Sequence, residues 1–352
     1  EIENNHLVSN RKRVKVSNSI WDGQSLMDKS LFGEYEDKGM LLLRNRFFKS
    51  CCFNTNIQQW FADNNITSVD QLNGFTLATD ISQIRLITTP SSIKYVKFGS
   101  LEDWMKNVEP IFGIVKYEKK PHPFDGRMVQ AHYQLFNTLQ LSYEEMEAIL
   151  QPSLNYIAAI RRDPAVLRYD IQYPWDEGDG SYSSMDSKNE VIFRMLGIND
   201  KFAQTKLYYD FRDDLIKGMV RNLKKGHVLV NGNYSTLMGN GMEMLMASIG
   251  AFDGKSVIGV GNIHSKRFEY GQTLLSSRSP HVTVGNILLV TNTECPAYDT
   301  YFNMTTEIVC INAIGENIQQ RLNGCDYDSD TMLLTDDALL IEVAKRNYAK
   351  FL

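Results

Sequence analysis

Three carboxylates at alternate positions, in Asn323-Gly324-Cys325-Asp326-Tyr327-Asp328-Ser329-Asp330, are the residues whose spacing most directly offers chemistry. In an extended loop, residues i, i+2 and i+4 leave the same side of the backbone, so the three acids converge. Convergence is costly: two unit charges about 4 Å apart repel by about 4 kcal/mol at an effective dielectric near ~20. A divalent cation removes that cost, and hard oxygen donors favour Mg²⁺ or Mn²⁺. Three readings compete: a polar surface turn, a helix-flanked calcium loop, and a catalytic metal loop between strands. A calcium loop wants Gly at its sixth position and a helix before it. Here the sixth position is Thr331, and the preceding TTEIVCINAI reads as a strand. The apolar TMLLT that follows at once favours the metal loop between strands.

The elements that must position this loop fall into three blocks. Residues 13–100 read as short β segments, among them RVKVSNSIW, GMLLLRN, FTLATDI, QIRLITT and SIKYVKFG, rich in β-branched and aromatic residues. One short helix, TNIQQWFADN around Trp60, interrupts them, with Thr55 or Asn54 as its cap. Residues 101–225 carry helical apolar spacing in LEDWMKNVEPIF, RMVQAHYQLFNTLQ, SYEEMEAILQPSLNYIAAIRRDP, KNEVIFRMLGI and FRDDLIKGMVRNLKKG. Ser142 followed by Glu145 is a capping box. Residues 170–187 read as an exposed loop. Strand character returns in HVLVNGN, KSVIGVGNI, GNILLVTNT, TTEIVCINAI and TMLLTDD, and a helix, ALLIEVAKRNYAKFL, closes the chain. The plan is α+β: a first β module over 1–100, a mainly helical connector over 101–225, and a second β module with a C-terminal helix over 226–352.

At the segment Ser277-Arg278-Ser279-Pro280-His281-Val282-Thr283-Val284-Gly285-Asn286-Ile287, followed by a strand and then the aspartate loop, the chain resembles the second catalytic barrel of two-barrel RNA polymerases. It is most similar to the cellular RNA-directed RNA polymerases of RNA silencing, which carry an Arg-x-Pro strand, a Gly-Asp turn and an aspartate loop ending in Gly-Asp. The largest subunit of cellular DNA-directed RNA polymerases and related phage single-chain polymerases share that loop. The first half resembles the family's other barrel, in Asp22-Gly23, in Arg44 followed five residues later by Lys49, and in Ser91-Ser92-Ile93-Lys94. The order of the modules, lysine-bearing then helical then aspartate-bearing, is that of the fused two-barrel enzymes.

The resemblance implies two double-psi β-barrels joined by the helical connector, and a template-directed RNA polymerase, a nucleotidyltransferase. Asp326, Asp328 and Asp330 would hold Mg²⁺ or Mn²⁺. Lys49 and Lys94 would contact the NTP phosphates with Arg44 in support, because phosphoryl transfer builds negative charge that cations stabilise. Lys38 and Lys97 are rivals for the two lysine positions. Arg278 would meet the NTP ribose or the template. The expected partners are NTPs and an RNA or DNA template, RNA being favoured by the Arg-x-Pro and Gly-turn pattern. DNA-directed transcription of the phage type, or a non-catalytic nucleic-acid-binding relic, are the alternatives. The chain departs from the family at Ser329, where Gly is usual, and at Asn286, where Asp is usual. Gly accepts positive φ freely and Ser does not. Ser329 is therefore expected at negative φ in a loop that still closes, or else with splayed aspartates in a relic.

Composition sets outer bounds. The chain has 352 residues, 43% of them apolar and 22% charged, as a globular protein of two ordinary domains does. No apolar run approaches the ~18 residues of a membrane span. It opens on Glu1 without a leader-like segment, so further domains of a longer protein are expected to exist. Five cysteines without metal-ligand spacing point to a reducing compartment, the cytoplasm or, in a eukaryote, the nucleus. The net charge of −5 masks an asymmetry: residues 322–342 hold six acids and no base, leaving 37 bases against 36 acids elsewhere (42 − 6). Arg11, Lys12, Arg13 and Lys15, and Lys217, Arg221, Lys224 and Lys225, read as solvated basic clusters. No P-loop or complete GxGxxG follows a strand, which disfavours a Walker-type NTPase. No His or Glu base stands beside the aspartates, which disfavours a nuclease. Tyr95, Phe98, Tyr208 and Tyr209 read as core residues before base-stacking ones, and Cys325 as a small packing residue.

Overall fold

The computed structural model describes residues 2–3, 6–7, 13–118, 123–173 and 187–348. Arg11 and Lys12, most of the loop expected over 170–187, and the last four residues of the closing helix lie outside the described residues. After a two-residue ladder, β1 (Ile2–Glu3) with β2 (His6–Leu7), the first module forms a five-stranded sheet. Its strands are β3 (Gln24–Asp28), β4 (Met40–Asn45), β5 (Phe48–Thr55), β6 (Leu86–Thr88) and β7 (Gly113–Tyr117), in the order β6-β3-β5-β4-β7. β4 and β5 are antiparallel, and β5 runs parallel to β3.

Both faces of this sheet are covered, so β4 and β5 are buried along most of their length. With a side-chain period of two, Met40, Leu42, Cys51 and Phe53 enter one core, while Leu41, Leu43, Phe48 and Cys52 enter another. The first of these cores is shared between the modules. Leu26 and Phe53 meet Ile57, Trp60 and Phe61 of α1 (Ile57–Asp63) together with Met242, Tyr298, Ile308 and Cys310 from the second half of the chain. All five cysteines are buried and free.

The connector contains α2 (Leu101–Asn107), β8 (Met128–Ala131), α3 (Tyr133–Leu139), α4 (Tyr143–Arg162), α5 (Pro164–Gln172), α6 (Ser187–Ile198) and α7 (Lys206–Lys224). The Ser142–Glu145 capping box opens α4 as expected. After β9 (Val228–Asn231), which pairs with β8, six strands close a barrel. They are β10 (Asn233–Gly239), β11 (Asn262–Ser265), β12 (Thr273–Ser277), β13 (Ile287–Asn292), β14 (Ile308–Ile311) and β15 (Thr331–Thr335), in the order β10-β14-β11-β13-β12-β15. Short helices α8 (Gly241–Ser248), α9 (Pro296–Tyr301) and α10 (Ile318–Arg321) lie between strands, and α11 (Ala338–Asn347) packs with α3 on the barrel's outer face. Among the described residues no helix is long and apolar enough to cross a membrane.

Several local expectations give way to tertiary partners. Residues 13–19 of RVKVSNSIW form no strand; the Asn18 amide instead donates to the carbonyls of Ala313 and Glu316 on the second module. RMVQA is strand rather than helix because it has β9 to pair with. SIKYVKFG is not a strand: the chain there makes 3₁₀ turns over Pro90–Ser92 and Lys94–Lys97 and meets β5 only through an isolated bridge of Ile93 with Phe48. FTLATDI forms no strand and leads into a 3₁₀ turn at Ile81–Gln83, capped by Asp80. The α1 cap is Asn56, without a side-chain bond, not Thr55 or Asn54.

Candidate active site

The aspartate loop leaves α10 and runs into β15. Along it Cys325 and Tyr327 are buried in the barrel core, while Asp326, Asp328 and Asp330 alternate with them and stay half-buried on the other side. Each offers a carboxylate oxygen, and these atoms lie within 4.8 Å of one another. Burial, with Asp330 and Asp328 alongside, pushes the Asp326 carboxyl up to about 7. Three hard, half-buried oxygen donors so crowded that one resists ionisation fit a Mg²⁺ or Mn²⁺ ion.

Two cations from different elements flank the trio. Lys49, on β5 of the first sheet, donates to Asp328 Oδ2. Arg278, just after β12, places Nη2 2.8 Å from Asp330 Oδ2. Its Nη1 donates to the carbonyls of Leu322 and Asn323, 3.0 Å each, so one guanidinium braces the loop from entry to exit. Among the described residues Asp326 has no ion-pair partner within 4.0 Å, leaving three acids against two bases.

The first module also holds the loop through its backbone. Tyr327 N–H donates to the Asp22 carbonyl at 2.8 Å. Gly23, at φ +76°, faces Asp328 so closely that a Cβ there would lie 2.5 Å from the Asp328 Cβ. Gln24 then clamps the modules together: its Nε2 donates to the Gly239 carbonyl at 2.7 Å, and its Oε1 accepts from Gly239 N–H at 2.8 Å. Asn286 stands in place of the usual Asp. Its Oδ1 accepts from the backbone of Val282 and Thr283, and its Nδ2 donates to the Arg321 carbonyl at 2.9 Å, a bond an aspartate could not make. The Arg278 loop is pinned by His281, whose ring lies 2.6 Å from Ser277 Oγ and 2.9 Å from Thr138 Oγ1 of α3.

No family model and no curated protein matches the sequence. Among solved structures, the chain is similar to the RNA dependent RNA polymerase QDE-1 from Thielavia terrestris, with a TM-score of 0.59 and 15% identity over 93% of this chain. The chain shares the fold of the matched part of that structure. The chain spans about a third of the length of that structure, 35% of it.

On this fold the residues singled out in the sequence are not all equally placed. Asp326, Asp328, Asp330, Lys49 and Arg278 come together. Arg44 lies directly opposite Lys49 in the β4–β5 ladder, on the same sheet face, and is exposed. Lys94 touches none of the aspartates; it is exposed and donates to the Ser91 carbonyl at 2.7 Å, while Ser91 Oγ accepts from Gly23 N–H at 3.0 Å. Of its rivals, Lys38 is paired with Asp37, and Lys97 is exposed one turn beyond Lys94. Ser329 departs from expectation: its φ is +95°, the glycine-like side of the map, yet the aspartates do not splay. The Asp22 contact and the Arg278 brace hold the loop against the preference of a side-chain-bearing residue. Sequence reasoning missed Gln24, whose signal is a polar side chain opening the fully buried strand β3.

Proposed function

We propose that this chain is the catalytic core of a template-directed, Mg²⁺-dependent RNA polymerase that copies RNA. The observation that carries the proposal is the meeting of Lys49 from the first module with Asp328 of the aspartate loop, which joins a phosphate-binding cation to a metal-binding trio. In this reading the modules are two double-psi barrels, over residues 1–100 and 226–352, joined by the connector 101–225, which lends β7 to the first module's sheet. A repeated strand pattern supports it. In the first module β4 and β5 form a hairpin whose second strand is parallel to β3. In the second, β12 and β13 are antiparallel and β13 runs parallel to β11.

Asp326, Asp328 and Asp330 would hold Mg²⁺ or Mn²⁺, which when bound activates the 3′-hydroxyl and stabilises departing pyrophosphate. Ionised Asp326 is needed to complete the donor set. Lys49, released from Asp328 when that carboxylate turns to the metal, would engage the triphosphate, with Arg44 beside it and Lys94 approaching from the Ser91 turn. Arg278 keeps the loop in shape and is positioned to meet the ribose or template strand. Five buried thiols fit a reducing compartment, the cytoplasm or nucleus.

The test is incorporation of labelled NTP on matched single-stranded RNA and DNA templates with Mg²⁺ or Mn²⁺. Product on RNA supports the reading. Product on DNA alone makes the chain a DNA-directed enzyme of the phage type. No product on either leaves a non-catalytic nucleic-acid-binding relic.

A further inference from the structure

The turn between β4 and β5 exposes aromatic surface that the polymerase chemistry does not use. Phe47, at its tip, is 50% exposed, and Phe98 is 76% exposed. The Phe47 ring lies 5.5 Å from that of Tyr95 and 6.0 Å from that of Phe98. Tyr95 packs against the edge of the core beneath, and Phe47 and Phe98 stand outside it. Phe48, Trp104 and Phe112 already pack there, Phe48 stacked on Trp104 at 5.9 Å and edge-on to Phe112 at 5.2 Å. Phe98 is held outward by its turn: its N–H donates to the Tyr95 carbonyl at 2.8 Å. Gly99 lets the Tyr95 ring settle against the backbone, since a Cβ there would lie 2.6 Å from it.

The surround is basic. Arg44, Arg46, Lys94 and Lys97 are exposed on the same two segments. Acids of the neighbouring segment are engaged: Glu109 faces Arg46 at 3.6 Å, Glu102 pairs with Lys106, and Asp103 accepts from the α2 cap, Ser100. The platform is continuous with the site, because Phe47, in the turn that opens β5, stands two residues from Lys49, at most about 7 Å of chain.

We propose that Phe47, Phe98 and Tyr95 form a stacking platform for single-stranded RNA, with Arg46 and Lys97 on its phosphates, guiding a strand past the aspartate loop. Bases stack on rings regardless of sequence, and lysine and arginine supply the salt-dependent part of the affinity. The inference rests on the RNA polymerase reading and names a strand-binding surface for it.

The test is binding of a fluorescein-labelled, unstructured single-stranded RNA, followed by anisotropy in EDTA without NTP. Phe98→Ala and Phe47→Ala should each weaken binding by about tenfold, Phe98→Trp should restore it and Phe98→Leu should not. Melting temperatures should stay at the parent value. Lys97→Ala should reduce the slope of log affinity against log salt by about one. The platform is overturned if the Phe47→Ala/Phe98→Ala double variant binds RNA within about twofold of the parent, or if the parent does not bind RNA. It is also overturned if that variant converts a parent dimer to monomer in sedimentation, since a second protein would then cover the rings. Because metal and NTP are absent, RNA bound through the rings by a chain that incorporates no nucleotide supports the platform while removing the polymerase reading.

Discussion

The Lys49 ammonium and the Asp328 carboxylate, 279 positions apart in sequence, form an ion pair between the first sheet and the loop of the barrel. Both side chains retain solvent contact, 31% and 24% exposed. Pairs of that kind contribute on the order of 1 kcal/mol or less, so exchanging the carboxylate for a phosphate costs little. Lys49→Ala should leave stability nearly unchanged yet slow incorporation by tens- to thousands-fold, about 2–4 kcal/mol of transition-state stabilisation. Lys94→Ala should slow it comparably through its reach from the Ser91 turn. Single-turnover rates together with denaturant unfolding separate the two effects.

Asp326 gives the site a pH signature. Its carboxyl is raised from 3.8 to about 7 by burial and then by Asp330 and Asp328. Between those values the folded protein holds a proton that the unfolded chain has lost. Stability from this group is therefore present at acid pH and falls as pH rises towards about 7. Mn²⁺ needs the ionised form, so its affinity should rise through the same window and level off above it. Asp326→Asn should remove both slopes, read by titration calorimetry and thermal unfolding across that range.

Ser329 occupies a conformation that suits glycine, at φ +95°. Ser329→Gly should stabilise the protein by about 1 kcal/mol through relief of that strain. Incorporation should stay within about tenfold of the parent, because the loop is already closed on its contacts. An inactive parent rescued only by Gly would mean that the loop cannot work as it stands.

His281 makes the Arg278 loop sensitive to acid. Burial first, and then His132, lowers it from 6.5 to about 4. Below pH 6.5 the unfolded chain takes up a proton that the folded one refuses, so stability is lost as pH falls from about 6.5 to 4. His281→Gln should flatten that part of the stability profile. A parent whose stability is level over this range would contradict the assignment.

What could be read from the sequence followed the range of the interactions. The alternation of Asp326, Asp328 and Asp330 with buried Cys325 and Tyr327 is a local property of extended chain, so spacing alone revealed it. Lys49 emerged through its motif, and the ladder with Arg44 then followed from a two-residue turn. The Gln24–Gly239 clamp, the β8–β9 ladder and the turns at Pro90–Lys97, which lean on Phe47 and Phe48, depend on partners distant in sequence, which periodicity does not register. Ser329 shows the same limit: local preference pointed to negative φ, and the contacts of the loop with Asp22 and Arg278 overrode it. Phe98 read as a core residue by composition and is 76% exposed, because Phe48, Trp104 and Phe112 already fill the space beneath.

Primer extension on a single-stranded RNA template tests most directly whether the three aspartates make this chain an RNA polymerase. Parent protein with Mg²⁺ or Mn²⁺ should incorporate template-complementary NTP, and Asp328→Ala/Asp330→Ala should lose both incorporation and Mn²⁺ binding while remaining folded. A double variant that extends the primer at the parent rate would contradict the account.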